Sequence, residues 1–358
     1  MSDRRLPVCS ARISASATEL RGQVMQLLTS LDYSSAEEQL DEAATSQEET
    51  SCDDSFMAEL LAGLSRADRA VPCRFLYDAA GSALFDEICE LPEYYPTRTE
   101  CGILKAHASE MAAAIGKDVR FVELGAGSGG KAEILLDQMP GARSYVCIDI
   151  SPVPLAGTEA AVRQRYPRLE VSSVCGNYLG KLELPKATGL RDVCFFPGST
   201  IGNFERNDAR AFLETWRERL GPGGMMLVGV DLKKDTAILE QAYDDAQGVT
   251  ARFSMNLLSR ANRELGADFD TAHFRHRARY VSDPGYIEIT LVSTAEQDVR
   301  VGGRTFAFSP GEAIHVENSH KYAVAEFADL AGDAGFDVSR VWTDEARLFS
   351  VQLLTARA

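Results

Sequence analysis

The chain has 358 residues, of which 45% are apolar and 25% charged. That length supports two domains, or one domain with a sizeable insertion. A formal net charge of −16 argues against a nucleic-acid partner, since binding a phosphate backbone needs a basic surface.

No apolar run reaches the roughly 18 residues that would suggest a membrane span. The N-terminus (MSDRRLPVCSARISAS) has arginines but no apolar stretch behind them, so no signal peptide is expected. The eight cysteines are scattered and form no CxxC pair, so neither a metal site nor a redox pair is predicted. Cys147 and Cys194 sit in apolar runs and read as small buried hydrophobes. A reducing cytoplasm is the simplest setting.

In chain order, Leu20, Val24, Leu27, Leu28 and Leu31 recur at helical spacing. Residues 37–54 follow with eight acidic side chains and no basic one, the composition of a disordered linker. Residues 1–55 are therefore read as an acidic N-terminal extension. Strand–helix alternation begins near residue 119. Strands are predicted at 119–124, 144–150, 169–178, 192–200 and 223–232, with helices at 131–139, 158–164 and 207–220 between them. Apolar strands alternating with amphipathic helices imply a parallel sheet covered on both faces. The pattern changes at residue 234. Helical stretches (237–248, 253–265) give way to strand-like pieces at 273–282, 286–294 and 299–308, punctuated by DPG and GG turns. A helix over 322–335 and a closing hairpin of two strands, 338–344 and 348–356, complete the chain.

The strongest local signal is Glu123-Leu-Gly125-Ala-Gly127-Ser-Gly129-Gly130, a glycine-rich turn between the first strand and its helix. Such turns let a ligand approach the backbone. Gly125, Gly127 and Gly130 also fit a dinucleotide fingerprint, and an acid ending the second strand (Asp149) serves ribose hydroxyls in either case. Glu123, two residues before the first glycine, and Asn177-Tyr178 ending the third strand favour a class I methyltransferase.

Longer segments carry a more specific resemblance. LYDAAGSALFDEICELPEYYPTRTE (76–100), ELGAGSGGK (123–131), FFPGSTIGNF (195–204), GVDLKKD (229–235) and AYDDAQGVTARFSMNLLSRANRELGADFD (242–270) resemble the histidine-specific methyltransferase of ergothioneine biosynthesis. The likeness runs from about residue 70 to the C-terminus. It implies an α/β class I methyltransferase fold, a Rossmann-like doubly wound sheet with a separate α+β substrate-binding domain. Residues 56–97 plus 234–319 would form that substrate-binding domain. Residues 98–233 plus 320–358 would form the S-adenosylmethionine-binding domain.

The resemblance also implies site residues. Gly125, Lys131, Asp149, Asn177 and Tyr178 would contact S-adenosylmethionine. Tyr94, Asn203 and Tyr243 would hold the amino-acid backbone, and Glu317 and Ser319 the imidazole. Tyr77 would lie near the amine, so that Tyr77 and Tyr94 line the reacting nitrogen. The family trimethylates the histidine α-amine to hercynine. The partner expected is a small amino acid, acted on by a monomer. These residue types suit the chemistry. A trimethylated cation can rest on tyrosine faces. An asparagine offers both a donor and an acceptor. A buried carboxylate left unpaired rejects substrates without an N–H donor.

Taken without the family, the same residues have plainer readings. PEYYP can be a packing turn, Asn203 a cap, and Glu317 a solvated hairpin residue. His273, His276, His315 and His320 read as surface or structural residues, not as ligands. Two positions depart from the family pattern. Asn177 replaces an aspartate, and Ile289 stands where a methionine is expected near the side-chain pocket. Tryptophan or a modified histidine therefore remains an alternative substrate, and a non-catalytic S-adenosylmethionine sensor a further reading.

Overall fold

The structure, a computed structural model, describes residues 55–127, 130–180, 182–185 and 189–357. The helix and acidic stretch expected before residue 55 lie outside these. Seven strands build the main sheet: β1 (Val119–Leu124), β2 (Ala142–Asp149), β3 (Glu170–Cys175), β4 (Arg191–Phe196), β5 (Met225–Asp231), β11 (Phe336–Thr343) and β12 (Phe349–Ala356). Their order is β3-β2-β1-β4-β5-β12-β11. β1 to β5 run parallel, and β12 and β11 close the sheet as the antiparallel hairpin read from the sequence. The strand order reverses between β1 and β4, and ligands bind at such a switch point beyond the carboxyl ends of parallel strands.

Helices cover both faces. α1 (Ala79–Glu90) and α2 (Tyr95–Ile115) precede the sheet. α3 (Lys131–Leu136), α4 (Pro152–Arg165) and α5 (Arg206–Leu220) connect its strands. Leu104, Ala108, Met111 and Ile115 give α2 one apolar stripe, buried with Phe121, Tyr145 and Phe195. On the opposite face, Ala209, Phe212, Leu213 and Trp216 of α5 pack with Val122, Cys194 and Val228. Phe327 and Ala331 of α8 (Val324–Asp333) join them. Each cluster buries large apolar side chains, worth about 1.5–3 kcal/mol apiece.

The segment after β5 leaves the main sheet, as the change of pattern at residue 234 predicts. It forms α6 (Thr236–Tyr243) and α7 (Val249–Leu265), then β6 (Phe274–Val281), β7 (Tyr286–Ser293), β8 (Gln297–Val301), β9 (Arg304–Phe308) and β10 (Ala313–His320). β10, β7 and β6 make a separate antiparallel sheet; β8 and β9 make a hairpin. Gly302 and Gly303, both at positive φ, form its turn. α1 packs on α7, which lies against β6. No helix among the described residues is long and apolar enough to cross a membrane.

Among the boundaries that differ from expectation, two have a clear local cause, while 299–308 proves to be two strands and Ala313–His320 is a strand that was not predicted. The fourth strand stops at Phe196, not at residue 200. Pro197 cannot donate to the ladder, and Gly198 and Ser199 take positive φ (80° and 57°). A 3-10 turn, Thr200–Asn203, follows. The helix expected over 237–248 ends at Tyr243 and α7 begins at Val249. Asp245 accepts hydrogen bonds from the Val249 and Thr250 amides, which starts the second helix four residues before the expected Phe253.

Candidate active site

At the end of β1, Gly125, Gly127 and Gly130 all have positive φ, the left-handed region that glycine enters at least cost. A Cβ at Gly127 or Gly130 would meet nothing within 4 Å, so the loop lines open space. Tyr178 lies beside this cradle, its ring 3.9 Å from where a Gly125 Cβ would sit. It is held edge-on against Phe196 and Phe212. Asp149, at the tip of β2, accepts from the Gly127 amide (3.0 Å) and the Ser151 amide (2.9 Å). Asn177 is exposed and its side-chain oxygen closes its own turn on the Leu179 amide. Glu123 is buried and accepts a hydrogen bond from the Tyr145 hydroxyl. Burial raises its pKa to about 7, although the Tyr145 hydroxyl opposes the shift.

Lys131 opens α3 but points to α2: its Nζ lies 2.6 Å from Glu100 Oε2. Glu100 is fully buried and also accepts from the Gly198 amide at 2.9 Å. A Cβ at Gly229 would come 2.1 Å from Glu100 Oε1, so the GVD segment needs glycine there.

The amino-acid candidates gather around the second sheet. Tyr77, Phe85, Tyr94 and Tyr243 form a chain of edge-to-face rings with centroid separations of 5.7, 6.3 and 5.9 Å, and Phe253 packs on Tyr77 at 5.3 Å. Burial, and then the nearby Glu317 carboxylate, push the Tyr77 pKa well up, so the phenol stays protonated. Asn203 ends the 3-10 turn, half-buried, with no side-chain hydrogen bond among the described residues. The preceding Gly202 is wedged against β10, where a Cβ would fall 2.6 Å from the His320 carbonyl oxygen.

Glu317 and Ser319 lie on β10, 8% and 4% exposed. An irregularity between His315 and Glu317 makes this possible. His315 pairs with Thr290, yet Glu317 pairs with Ile289 and Ser319 with Ile287. This one-residue bulge shifts the alternation, so Glu317 and Ser319 share the apolar face with Ile314, Ile289 and Ile287. Burial raises the Glu317 pKa to about 7; the Lys321 ammonium and a hydrogen bond from the Cys73 thiol pull it part of the way back.

A buried network, absent from the sequence reading, lies beneath these residues. Asp231, the last residue of β5, and Lys321 are each fully buried and 2.8 Å apart. Lys234 approaches Asp231 Oδ1 at 2.6 Å, and the Tyr95 hydroxyl lies 2.8 Å from Asp231 Oδ2. Lys321 Nζ is also 2.7 Å from the Tyr243 hydroxyl and 2.8 Å from Ser319 Oγ, which are 3.0 Å from each other. Burial alone would lower the Lys321 pKa, but Asp231 and Tyr243 more than offset it and keep the ammonium charged. Lys234, where burial prevails over the same aspartate, falls to about 8.

The family described as "Histidine-specific methyltransferase, SAM-dependent" matches residues 56–356. The chain belongs to that family. It is 41% identical over 300 residues to the histidine N-alpha-methyltransferase of Mycolicibacterium smegmatis, covering 82% of this chain and 93% of the relative. It is 41% identical over 302 residues to the enzyme of that name from Mycobacterium tuberculosis, with the same coverage. Ergothioneine biosynthesis protein 1 of Neurospora crassa is 33% identical over 282 residues, 77% of this chain and 32% of that protein.

This chain is thus an S-adenosylmethionine-dependent methyltransferase of class I fold, with the cofactor its methyl donor. The glycine cradle suits that cofactor: open space at Gly127 and Gly130, a carboxylate at the next strand tip and an aromatic ring alongside Gly125. Of the residues singled out in the sequence, Gly125, Asp149 and Tyr178 converge there. Tyr77, Tyr94, Tyr243, Glu317 and Ser319 converge on the second sheet. Lys131 and Asn177 have their side chains engaged elsewhere, with Glu100 and with the Leu179 amide. Sequence reasoning passed over Asp231, Lys234, Lys321, Glu100 and Cys73. GVDLKKD held part of the clue, for an apolar strand ending in an acid with a lysine three residues on invites the Asp231–Lys234 pair.

Proposed function

We propose that this methyltransferase converts histidine to its Nα-trimethyl betaine, hercynine, as in ergothioneine biosynthesis. The observation that carries the reading is a carboxylate and a hydroxyl, Glu317 and Ser319, on the same buried face of β10 amid apolar side chains. A buried acceptor beside a buried donor matches the N–H and the lone-pair nitrogen of a neutral imidazole. The relatives named for histidine methylation and ergothioneine biosynthesis support it.

Gly125, Asp149 and Tyr178 would hold S-adenosylmethionine, with Lys131 and Asn177 joining them only on leaving Glu100 and the Leu179 amide, and the bound cofactor would supply an electrophilic methyl group on a sulfonium. Tyr94, Asn203 and Tyr243 hold the amino-acid backbone, and Glu317 and Ser319 the ring. The α-amine must lose a proton to solvent before each attack, because only its lone pair can form the N–C bond as the C–S bond breaks. Tyr77 and Tyr94 offer ring faces to the growing ammonium, worth about 0.5–2 kcal/mol. Most of the acceleration comes from aligning nitrogen and methyl, which gains about 7–11 kcal/mol over free collision in well-oriented systems. Residues 56–97 and 234–319 act as the substrate-binding domain on the cofactor-binding remainder. Cys73, Cys89, Cys101, Cys147 and Cys194 are free thiols, which suits a reducing cytoplasm, where the enzyme is read as a monomer.

A second reading, methylation of another aromatic amino acid, is favoured by Ile289, which lies directly across from Glu317. Mass spectrometry of products from a mixed amino-acid pool decides between them. A trimethylated histidine supports the first reading. Label on tryptophan alone supports the second, and label on no amino acid removes both.

A further inference from the structure

Lys321 lies in no position that the family resemblance assigned a role, yet it joins the end of β5 to two of the candidate substrate ligands. An ammonium has three N–H donors and no acceptor. Its three close partners are Asp231 Oδ2, the Tyr243 hydroxyl and Ser319 Oγ, at 2.8, 2.7 and 2.8 Å. All three protons are thereby used, and both hydroxyls must accept from Lys321. Each hydroxyl retains one proton of its own. The 3.0 Å contact between them can consume only one of the two. At least one hydroxyl proton is therefore left over, with no other acceptor among the described residues.

We propose that Lys321 is a positioning residue that sets the hydrogen-bond polarity of the substrate pocket, forcing the Tyr243–Ser319 pair to present a donor to the bound amino acid. This rests on the histidine reading and deepens it. With Glu317 as acceptor and the hydroxyl pair as fixed donor, the pocket reads one N–H and one lone pair, and so selects the neutral ring. Lys321 also packs its ammonium 4.5 Å from the Tyr243 ring centroid, which fixes that ring against Tyr94. Asp231 orients Lys321 and is itself held by Lys234 and Tyr95. Losing Lys321 therefore leaves Asp231 with a cationic partner, and the fold should tolerate Lys321→Met.

The experiment is a double-mutant cycle. Histidine binding is measured by calorimetry with S-adenosylhomocysteine present, in wild type, Lys321→Met, Tyr243→Phe/Ser319→Ala and the triple variant. Lys321→Met should weaken histidine binding by about tenfold or more, the loss of one to two net hydrogen bonds. S-adenosylhomocysteine affinity should be unchanged. In the Tyr243→Phe/Ser319→Ala background the same substitution should cost less than about threefold, because its intermediaries are gone. Lys321→Gln, which keeps an N–H donor, should recover part of the loss. Equal losses in both backgrounds, or parallel loss of S-adenosylhomocysteine binding, would assign Lys321 to general stability and overturn the proposal. If wild type does not methylate histidine, the underlying reading falls too. Wild-type turnover with an unaffected Lys321→Met removes this inference alone.

Discussion

Glu317 on β10 faces Ile289 on β7 directly across the antiparallel ladder, so a buried carboxylate and a branched aliphatic side chain share one face. The pairing places the group that would discriminate by charge next to the group that would discriminate by shape. Glu317→Ala should lower kcat/KM for histidine by about 10²-fold or more, since a site built to bind an N–H loses its acceptor. Cofactor affinity should stay as in wild type. Steady-state kinetics with calorimetry checks both, and undiminished turnover would take Glu317 out of the site.

Stability carries the opposite sign. Burial lifts the Glu317 pKa from its ordinary 4.5 to about 7. The folded state then binds the proton more tightly than the unfolded chain. Its contribution is complete below about pH 4.5 and is lost as pH rises through 7, a difference of about 3 kcal/mol. Glu317→Gln should therefore melt above wild type at pH 8, with the gap closing near pH 5. Melting curves at the two pH values test this, and a gap that does not change with pH contradicts it.

Asp149 and Asn203 sit at opposite ends of the proposed reaction and should separate cleanly. Asp149→Ala removes an anion that accepts two backbone amides, and about 1.5–3 kcal/mol per charged hydrogen bond predicts roughly 10–100-fold weaker S-adenosylhomocysteine binding. Asn203→Ala should raise KM for the amino acid and leave cofactor affinity intact. Titrating both ligands into both variants gives the comparison, and equal losses for the two ligands in either variant would mean that its position is misassigned.

Gly202→Ala tests the wedge between the 3-10 turn and β10. The added methyl would meet the His320 carbonyl at 2.6 Å. Overpacking of this kind costs about 1–3 kcal/mol, so the melting temperature should fall and KM for the amino acid should rise with it. A variant that melts like wild type would show that the turn and strand can part freely.

The doubly wound sheet is legible in the sequence because β1, β2, β4 and β5 are nearly continuous apolar runs separated by helical periods. The insertion is legible from the end of that alternation at residue 234. Chain ends are less so. FFPGST continues the apolar run, and only the backbone at Gly198 and Ser199 reveals that the strand has already stopped. The site is legible in its local parts, such as the glycine loop, where neighbouring residues act together. The Asp231–Lys321 pair joins residues 90 positions apart in a strand register that no local pattern encodes. Glu317 is hidden for a related reason. Simple alternation from Ile314 and Val316 would turn it to the other face of β10.

The irregularity between His315 and Glu317 has an evolutionary corollary. Glu317, Ser319 and Lys321 occupy alternate positions after it, so a change at the bulge would shift all three together. Point substitutions can adjust ring preference one group at a time. Loss of a single residue at the bulge would instead transpose carboxylate, hydroxyl and ammonium together, erasing recognition in one step while leaving the methyl-donor half of the molecule untouched.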